Sequence, residues 1–220
     1  MKQLNYVLSF LMVIFISASI LMLSSTLVLR LSATYVYHFN DSQAVLDIPY
    51  SVTGSEMADG ISKYLTSFSD ESFQVYEDNG KYQDPLFNKT EQAVMKKYRN
   101  ILNIELGLGM VMMGLFIAIY VHLLNRGSTL ALRNRGRLSV GILTVFIIAR
   151  VILVTIKAFR AWLYSSMIGI GLEKDSLMIQ VLGDPMYKTY ALFATVVAVV
   201  LTGIFAYVNA SLTKQERIFY

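Results

Sequence analysis

The chain has 220 residues, 55% of them apolar and 15% charged, where an ordinary soluble domain carries about 25% charge, and its mean hydropathy is +0.52. That balance is too apolar for a soluble domain and points to a membrane protein. Zero cysteines exclude disulfides, thiolate metal sites and a cysteine nucleophile, and only two histidines, His38 and His122, leave little material for a metal centre.

Four runs reach the roughly 20 mostly apolar residues that a spanning helix needs. They extend from about Asn5 to Leu29, Ile101 to Leu124, Leu138 to Ala158, and Thr189 to Asn209. The first run, within residues 1–30, predicts transmembrane helix 1. A cleaved signal peptide is the competing reading, because Ser32 and Ala33 can mimic a cleavage site. The run is nevertheless longer than an h-region of about 7–15 residues.

Residues 31–88 predict a small extracytoplasmic unit of helix plus hairpin. Thr53 and Glu56 sit three apart as a capping box, opening a helix with Met57, Ile61, Tyr64, Leu65 and Phe68 on one face. Alternation over Ser72 to Tyr76 predicts a strand, Asn79-Gly80 a tight turn, and Lys81 to Gln83 a returning strand. Asp84-Pro85 ends that unit. Asn88 and Glu91 form a second capping box, and no breaker follows, so residues 89–124 predict one long helix continuing into transmembrane helix 2.

Residues 125–137 hold Arg126, Arg133, Arg135 and Arg137 without an acid, and the positive-inside rule puts this loop in the cytoplasm. Residues 138–158 follow as transmembrane helix 3, 159–188 as an extracytoplasmic or interfacial segment, 189–209 as transmembrane helix 4, and 210–220 as a cytoplasmic tail. Both termini are then cytoplasmic, in a multi-pass protein of a bacterial plasma membrane. The external stretch from Leu31 to Asn100 holds ten acidic against six basic residues, as suits an exported surface. The fold class is mainly α and membrane-embedded, with four transmembrane helices and an extracytoplasmic α+β unit between the first two.

Ionisable groups at membrane depth mark sites by default. Arg150 lies inside the third run and Lys157 seven residues later, nearly on the same helix face, with Arg160 one turn beyond. Glu105 is the acid inside the spans and the natural partner. These four residues form either a structural ion-pair set with outward snorkelling or a basic pocket for an anionic headgroup. Gly107, Gly109 and Gly114 in the second run read as helix-packing positions. His38 sits among Tyr35, Tyr37 and Phe39 like an aromatic-belt residue, and His122 lies at the other end of the second run. Neither a cofactor nor a nucleic-acid partner is expected, and no phosphate loop or serine nucleophile motif stands out.

From about Tyr35 onward the arrangement resembles the lipoprotein intramolecular transacylases of Gram-positive bacteria. The residues that carry the likeness are Asp84-Pro-Leu-Phe-Asn88 with Thr90-Glu91-Gln92, then Phe159-Arg-Ala-Trp-Leu-Tyr164, then Asp175 to Leu182 and Asp184 to Tyr187. The resemblance implies acyl transfer from the glycerol of a lipid-modified cysteine to its amino group at the outer surface. It also implies a base histidine in a His-Met-x-Asp-Val motif on the long helix and a second histidine in Phe-His-x-x-Phe-Phe. Here Val94-Met95-Lys96-Lys97-Tyr98 stands at the first place and Phe159-Arg160 at the second. Valine exchanges no proton and arginine stays protonated, so neither serves as base. The expectation is a non-catalytic, transacylase-like membrane protein, a binding or partner subunit for a lipid, a lipoprotein or another membrane protein. The alternative is an active transacylase with rearranged chemistry, in which His38 or Lys97 acts as base, the lysine activated by burial or by cationic neighbours.

Overall fold

The structure, a computed structural model, describes residues 2–41, 52–67, 71–78, 83–167, 172 and 176–214. Its elements in chain order are α1 (Lys2–Val28), α2 (Ser32–Asp41), α3 (Gly54–Thr66), β1 (Tyr76–Asp78), β2 (Gln83–Pro85), α4 (Lys89–Asn125), α5 (Thr129–Thr155), α6 (Lys157–Met167), α7 (Leu177–Leu182) and α8 (Asp184–Leu212). Four helices are long and apolar enough to cross a membrane, over Leu4–Val28, Lys89–Asn125, Thr129–Thr155 and Met186–Leu212. Their outward faces carry large apolar side chains, among them Leu108 and Val111 of α4, Val145 and Phe146 of α5, and Val196 and Val199 of α8. A helix exposing such residues over many turns has lipid, not water, as its solvent.

The chain divides into two compact units. The first comprises Met1–Ser24, Glu105–Ala149 and Thr195–Tyr220. Its core joins Met12, Ile16 and Ile20 of α1 to Phe116, Tyr120 and Leu123 of α4, Leu132 and Leu143 of α5, and Phe205 of α8. The first apolar run is thus a packed member of this core. Ser19 Oγ donates to the Gly109 carbonyl at 2.9 Å, and a side chain at Gly109 would press on Met22 and Leu23. Gly107 and Gly114, expected to pack against helices, instead face open space. Gly136 makes a close approach, since an added Cβ would lie 2.1 Å from the Asn209 amide nitrogen. Asn209 Oδ1 in turn accepts from the Tyr120 hydroxyl at 3.1 Å.

The expected basic loop is shorter than 125–137. Gly127 takes φ +68, which glycine adopts without a Cβ clash, and its N–H bonds the Leu124 carbonyl while Ser128 N–H bonds that of Leu123. α5 then starts at Thr129, so Arg133, Arg135 and Arg137 stand on a helix.

The second unit comprises Ser25–Ile104 and Arg150–Ala194. The Thr53–Glu56 capping box is present in both directions, and the bonds from Thr53 hold the Glu56 carboxyl below its usual range. It opens α3, whose Met57, Ala58, Ile61, Tyr64 and Leu65 are buried along one stripe. They pack with Tyr35 and Phe39 of α2, Phe73, Phe87, Val94, Met95, Tyr98 and Leu102, and with Met178 and Val181 of α7. Phe68, expected on the same stripe, lies outside the described residues.

The hairpin expectation shrinks. Residues 71–75 are irregular, and the strand expected over Ser72 to Tyr76 is replaced by a three-pair antiparallel ladder, Tyr76 with Pro85 through Asp78 with Gln83. Phe73 and Val75 insert into the core of the unit, so the extended stretch is held by side-chain burial. The helix plus hairpin is therefore not a separate α+β unit, because α2, α4 and α7 complete its core. The expected Asn79-Gly80 turn lies outside the described residues.

Candidate functional site

The second unit contains His38, Val94, Lys97 and Arg160, the positions weighed for proton transfer, while His122 lies exposed in the first unit. Asn88 and Glu91 start α4 as a reciprocal capping box, with Asn88 N–H donating to Glu91 Oε2 and Glu91 N–H to Asn88 Oδ1, both at 2.9 Å. One turn on, Val94 is buried with 8% of its surface exposed, and Met95 beside it is fully buried. Val94, at the place where the resemblance implies a histidine, is thus a core residue. Lys96 and Lys97 lie on the exposed face of α4, so the burial that would activate Lys97 is absent.

Glu91 does more than cap. Its Oε1 accepts from Ser176 Oγ at 2.5 Å and from Met178 N–H at 3.4 Å, tying the start of α4 to the start of α7. Ser176 Oγ also accepts from Met178 N–H at 3.2 Å, as the N-cap of α7. The sequence signalled only the local half of this carboxylate's role.

α5 ends at Thr155 and α6 begins at Lys157, with Ile156 between them outside either helix. The common face expected for Arg150, Lys157 and Arg160 is therefore broken. Lys157 is exposed. Arg160 is 7% exposed, and its Nη1 donates to the carbonyls of Val154 at 2.8 Å and Thr155 at 3.2 Å. Those are among the last carbonyls of α5, which have no acceptor role left inside the helix. Arg150, half-buried, donates through Nη2 to Ser25 Oγ at 3.0 Å, which also accepts from the Tyr190 hydroxyl at 2.8 Å. Glu105 lies half-exposed on α4 in the first unit.

His38 is 1% exposed, on α2 between the buried Tyr35 and Phe39, with its ring 5.4 Å from that of Phe39. It is a core residue and not the belt residue expected, because α2 folds inward after α1 ends; Tyr37 is the exposed member, edge-on to Phe193. Around the same core, Arg30 donates to the Leu65 carbonyl and to Asn103 Oδ1. The Arg99 guanidinium lies 4.3 Å over the Tyr64 ring. Burial raises the Tyr35 hydroxyl well above the usual tyrosine value, against the opposing influence of Tyr98 and Arg30, and raises that of Tyr64 against Arg99. The Tyr35 hydroxyl donates to the Leu29 carbonyl at 2.7 Å. Among the described residues, no group of three or more His, Cys, Asp or Glu could hold a metal ion.

Neither a family model nor a curated protein sequence matches the chain. Among solved structures, the membrane integral lipoprotein intramolecular transacylase Lit from Bacillus cereus superimposes with a TM-score of 0.74 at 15% identity, over 100% of both chains. This chain has the fold of Lit. Two variants of the same enzyme, with arginine or alanine in place of one histidine, give TM-scores of 0.70 and 0.64. They are 15% and 14% identical, and the match covers 96% and 94% of this chain and 92% and 94% of theirs. With four spanning helices and the Lit fold, the chain is a multi-pass membrane protein. The resemblance read from residues 84–92 and 159–187 is thereby supported at the level of fold, which does not by itself carry activity.

Proposed function

We propose that this chain is a non-catalytic, transacylase-like membrane protein, a binding or partner subunit that engages a lipid, a lipoprotein or another membrane protein at the outer surface. The start of α5, with its arginines, and both termini face the cytoplasm of a Gram-positive bacterium. Residues 31–88 and 159–188 face outward and carry the recognition. The observation that supports this reading is the fate of the two replaced positions. Val94 is sealed in the core, and the Arg160 guanidinium is engaged by the end of α5. Proton transfer needs a group that titrates near the working pH and reaches the substrate, and neither residue does so. Trp162 on α6, 61% exposed and stacked near Phe159, supplies an aromatic surface for the partner. The test is to incubate the purified protein in vesicles with a diacylated lipopeptide. Retention of the lipopeptide without formation of its N-acyl isomer is expected. Conversion that disappears in Arg160→Ala overturns the proposal.

The alternative reading, an active transacylase with rearranged residues, draws on His38, which is buried in the unit that holds Val94 and Arg160. It requires conversion by the wild type that is lost in His38→Ala. Conversion that persists with both His38 and Lys97 replaced removes it.

A further inference from the structure

The first unit contains a pocket of about 420 Å³ between α1 and α5, lined by Asn5, Tyr6, Ser9, Ala131, Asn134, Arg135 and Leu138, so that polar side chains stand on an otherwise apolar wall. That volume falls within the range of about 300–1,000 Å³ usual for small-ligand sites. On α5 the lining residues recur at i, i+3, i+4 and i+7, so they form one face. Its register is fixed by the neighbouring face, where Leu132, Gly136, Ser139 and Leu143 are buried and Gly136 abuts Asn209.

Arg135 is only partly exposed, and its guanidinium carbon sits 5.0 Å from the centroid of the Tyr6 ring. Stacking holds the planar fork in place, which prepares it for two-point contact with a phosphate. Asn5 and Asn134 add amide donors. Ser9 spends its hydroxyl proton on the Tyr6 carbonyl at 2.8 Å, so it braces the wall and leaves donation to the amides. No lining residue is acidic, and residues 125–137 contain four arginines and no acid. Leu4, Val7 and Phe10 of α1 and Leu130 of α5 are exposed and each adjoins a lining residue in sequence, which gives this face an apolar rim, and Tyr6 itself is 66% exposed.

We infer that this pocket binds the phosphate of an anionic glycerophospholipid, with the headgroup against Arg135 and the asparagines and the acyl chains lying along the apolar rim. A soluble anion matches the fork but not the rim, whereas a lipid matches both. The arginines Arg126, Arg133 and Arg137 stand outside the pocket and are exposed, which makes them built-in controls against general charge attraction.

The test is native mass spectrometry of the full chain in detergent, titrated with dioleoylphosphatidylglycerol or dioleoylphosphatidylcholine. Arg135→Gln is expected to weaken retention of the anionic lipid about tenfold, the loss of one charge-assisted contact. Arg133→Gln should leave it within roughly twofold, as for an exposed charge. Tyr6→Leu, which keeps every charge, should weaken retention several-fold with an unchanged melting temperature. Equal losses in Arg135→Gln and Arg133→Gln overturn the site. Equal retention of the zwitterionic lipid, or displacement of the anionic one by millimolar inorganic phosphate, overturns the lipid assignment.

Discussion

Replacing Glu91 with alanine tests whether α7 is held to α4 through one carboxylate. The substitution strips the acceptor from three donors, Asn88 N–H at 2.9 Å, Ser176 Oγ at 2.5 Å and Met178 N–H at 3.4 Å. Hydrogen bonds to a charged group contribute about 1.5–3 kcal/mol each, and buried donors left alone add to the loss. The third bond is long, so a total of about 3–5 kcal/mol is the reasonable sum of two good bonds and one weak one. At about 2–4 °C per kcal/mol for a chain of this size, the midpoint in detergent should fall by roughly 6–20 °C. Ser176→Ala removes one of the bonds and the α7 N-cap, for about 1–2 kcal/mol. The decisive quantity is the double-mutant cycle, because the two residues touch and their effects should overlap by about 1–2 kcal/mol. Hydrogen exchange should show α7 opening in either single variant while α3 stays protected. If the two losses add without coupling, or if Glu91→Ala shifts the midpoint by no more than an exposed residue would, the carboxylate is not the tie described.

Three further outcomes follow from the same geometry. Arg160→Ala should lower stability by about 1–3 kcal/mol, since it leaves the Val154 and Thr155 carbonyls without their donor; an unchanged thermal midpoint contradicts that role. Burial raises the folded-state pKa of Tyr35, so the native state keeps the proton that the unfolded chain releases near pH 10. Its contribution is complete below that value and is lost as pH rises above it, by up to about 1.4 kcal/mol per unit. Tyr35→Phe should therefore be less stable at pH 8, where the bond to Leu29 is missing, and show a shallower decline toward pH 11 in a melting series. Gly136→Ala drives a methyl into the Asn209 amide and should cost about 1–3 kcal/mol as an overpacked contact. Adding Asn209→Ala should restore part of the midpoint, and no restoration would mean that the clash is not the cause.

Much of this fold is written locally. Four apolar runs yield four spanning helices because hydropathy sums over a single helix and needs no knowledge of neighbours. The capping boxes at Thr53 and Asn88 are legible for the same reason, since their partners lie three residues away. The misses share the opposite property. Nothing at Ile156 resembles a breaker, so the helix end that separates Arg150 from Arg160 is invisible until Arg160 is seen to take the α5 carbonyls. The inward turn of α2 is decided by what Tyr35 and Phe39 meet on α3 and α4, and a run of aromatic residues reads equally as a belt. Glu91 reads as a cap, and its second oxygen finds Ser176 only in three dimensions. In the candidate site, the burial of Val94 and the carbonyl partners of Arg160 depend on contacts made across the fold and are not legible in the sequence.

The burial and bonding of Val94 and Arg160 decide what work these two positions can do. A catalytic histidine must alternate between protonation states and keep one nitrogen free for the substrate. Arg160 has neither property, being permanently charged and bonded to backbone carbonyls, so its role in the structure is architectural. Val94 lies in contact with the apolar core, where an ionisable side chain would cost free energy without a built-in partner. Val94→His should therefore destabilise the protein by about 1–3 kcal/mol, read as a lowered thermal midpoint.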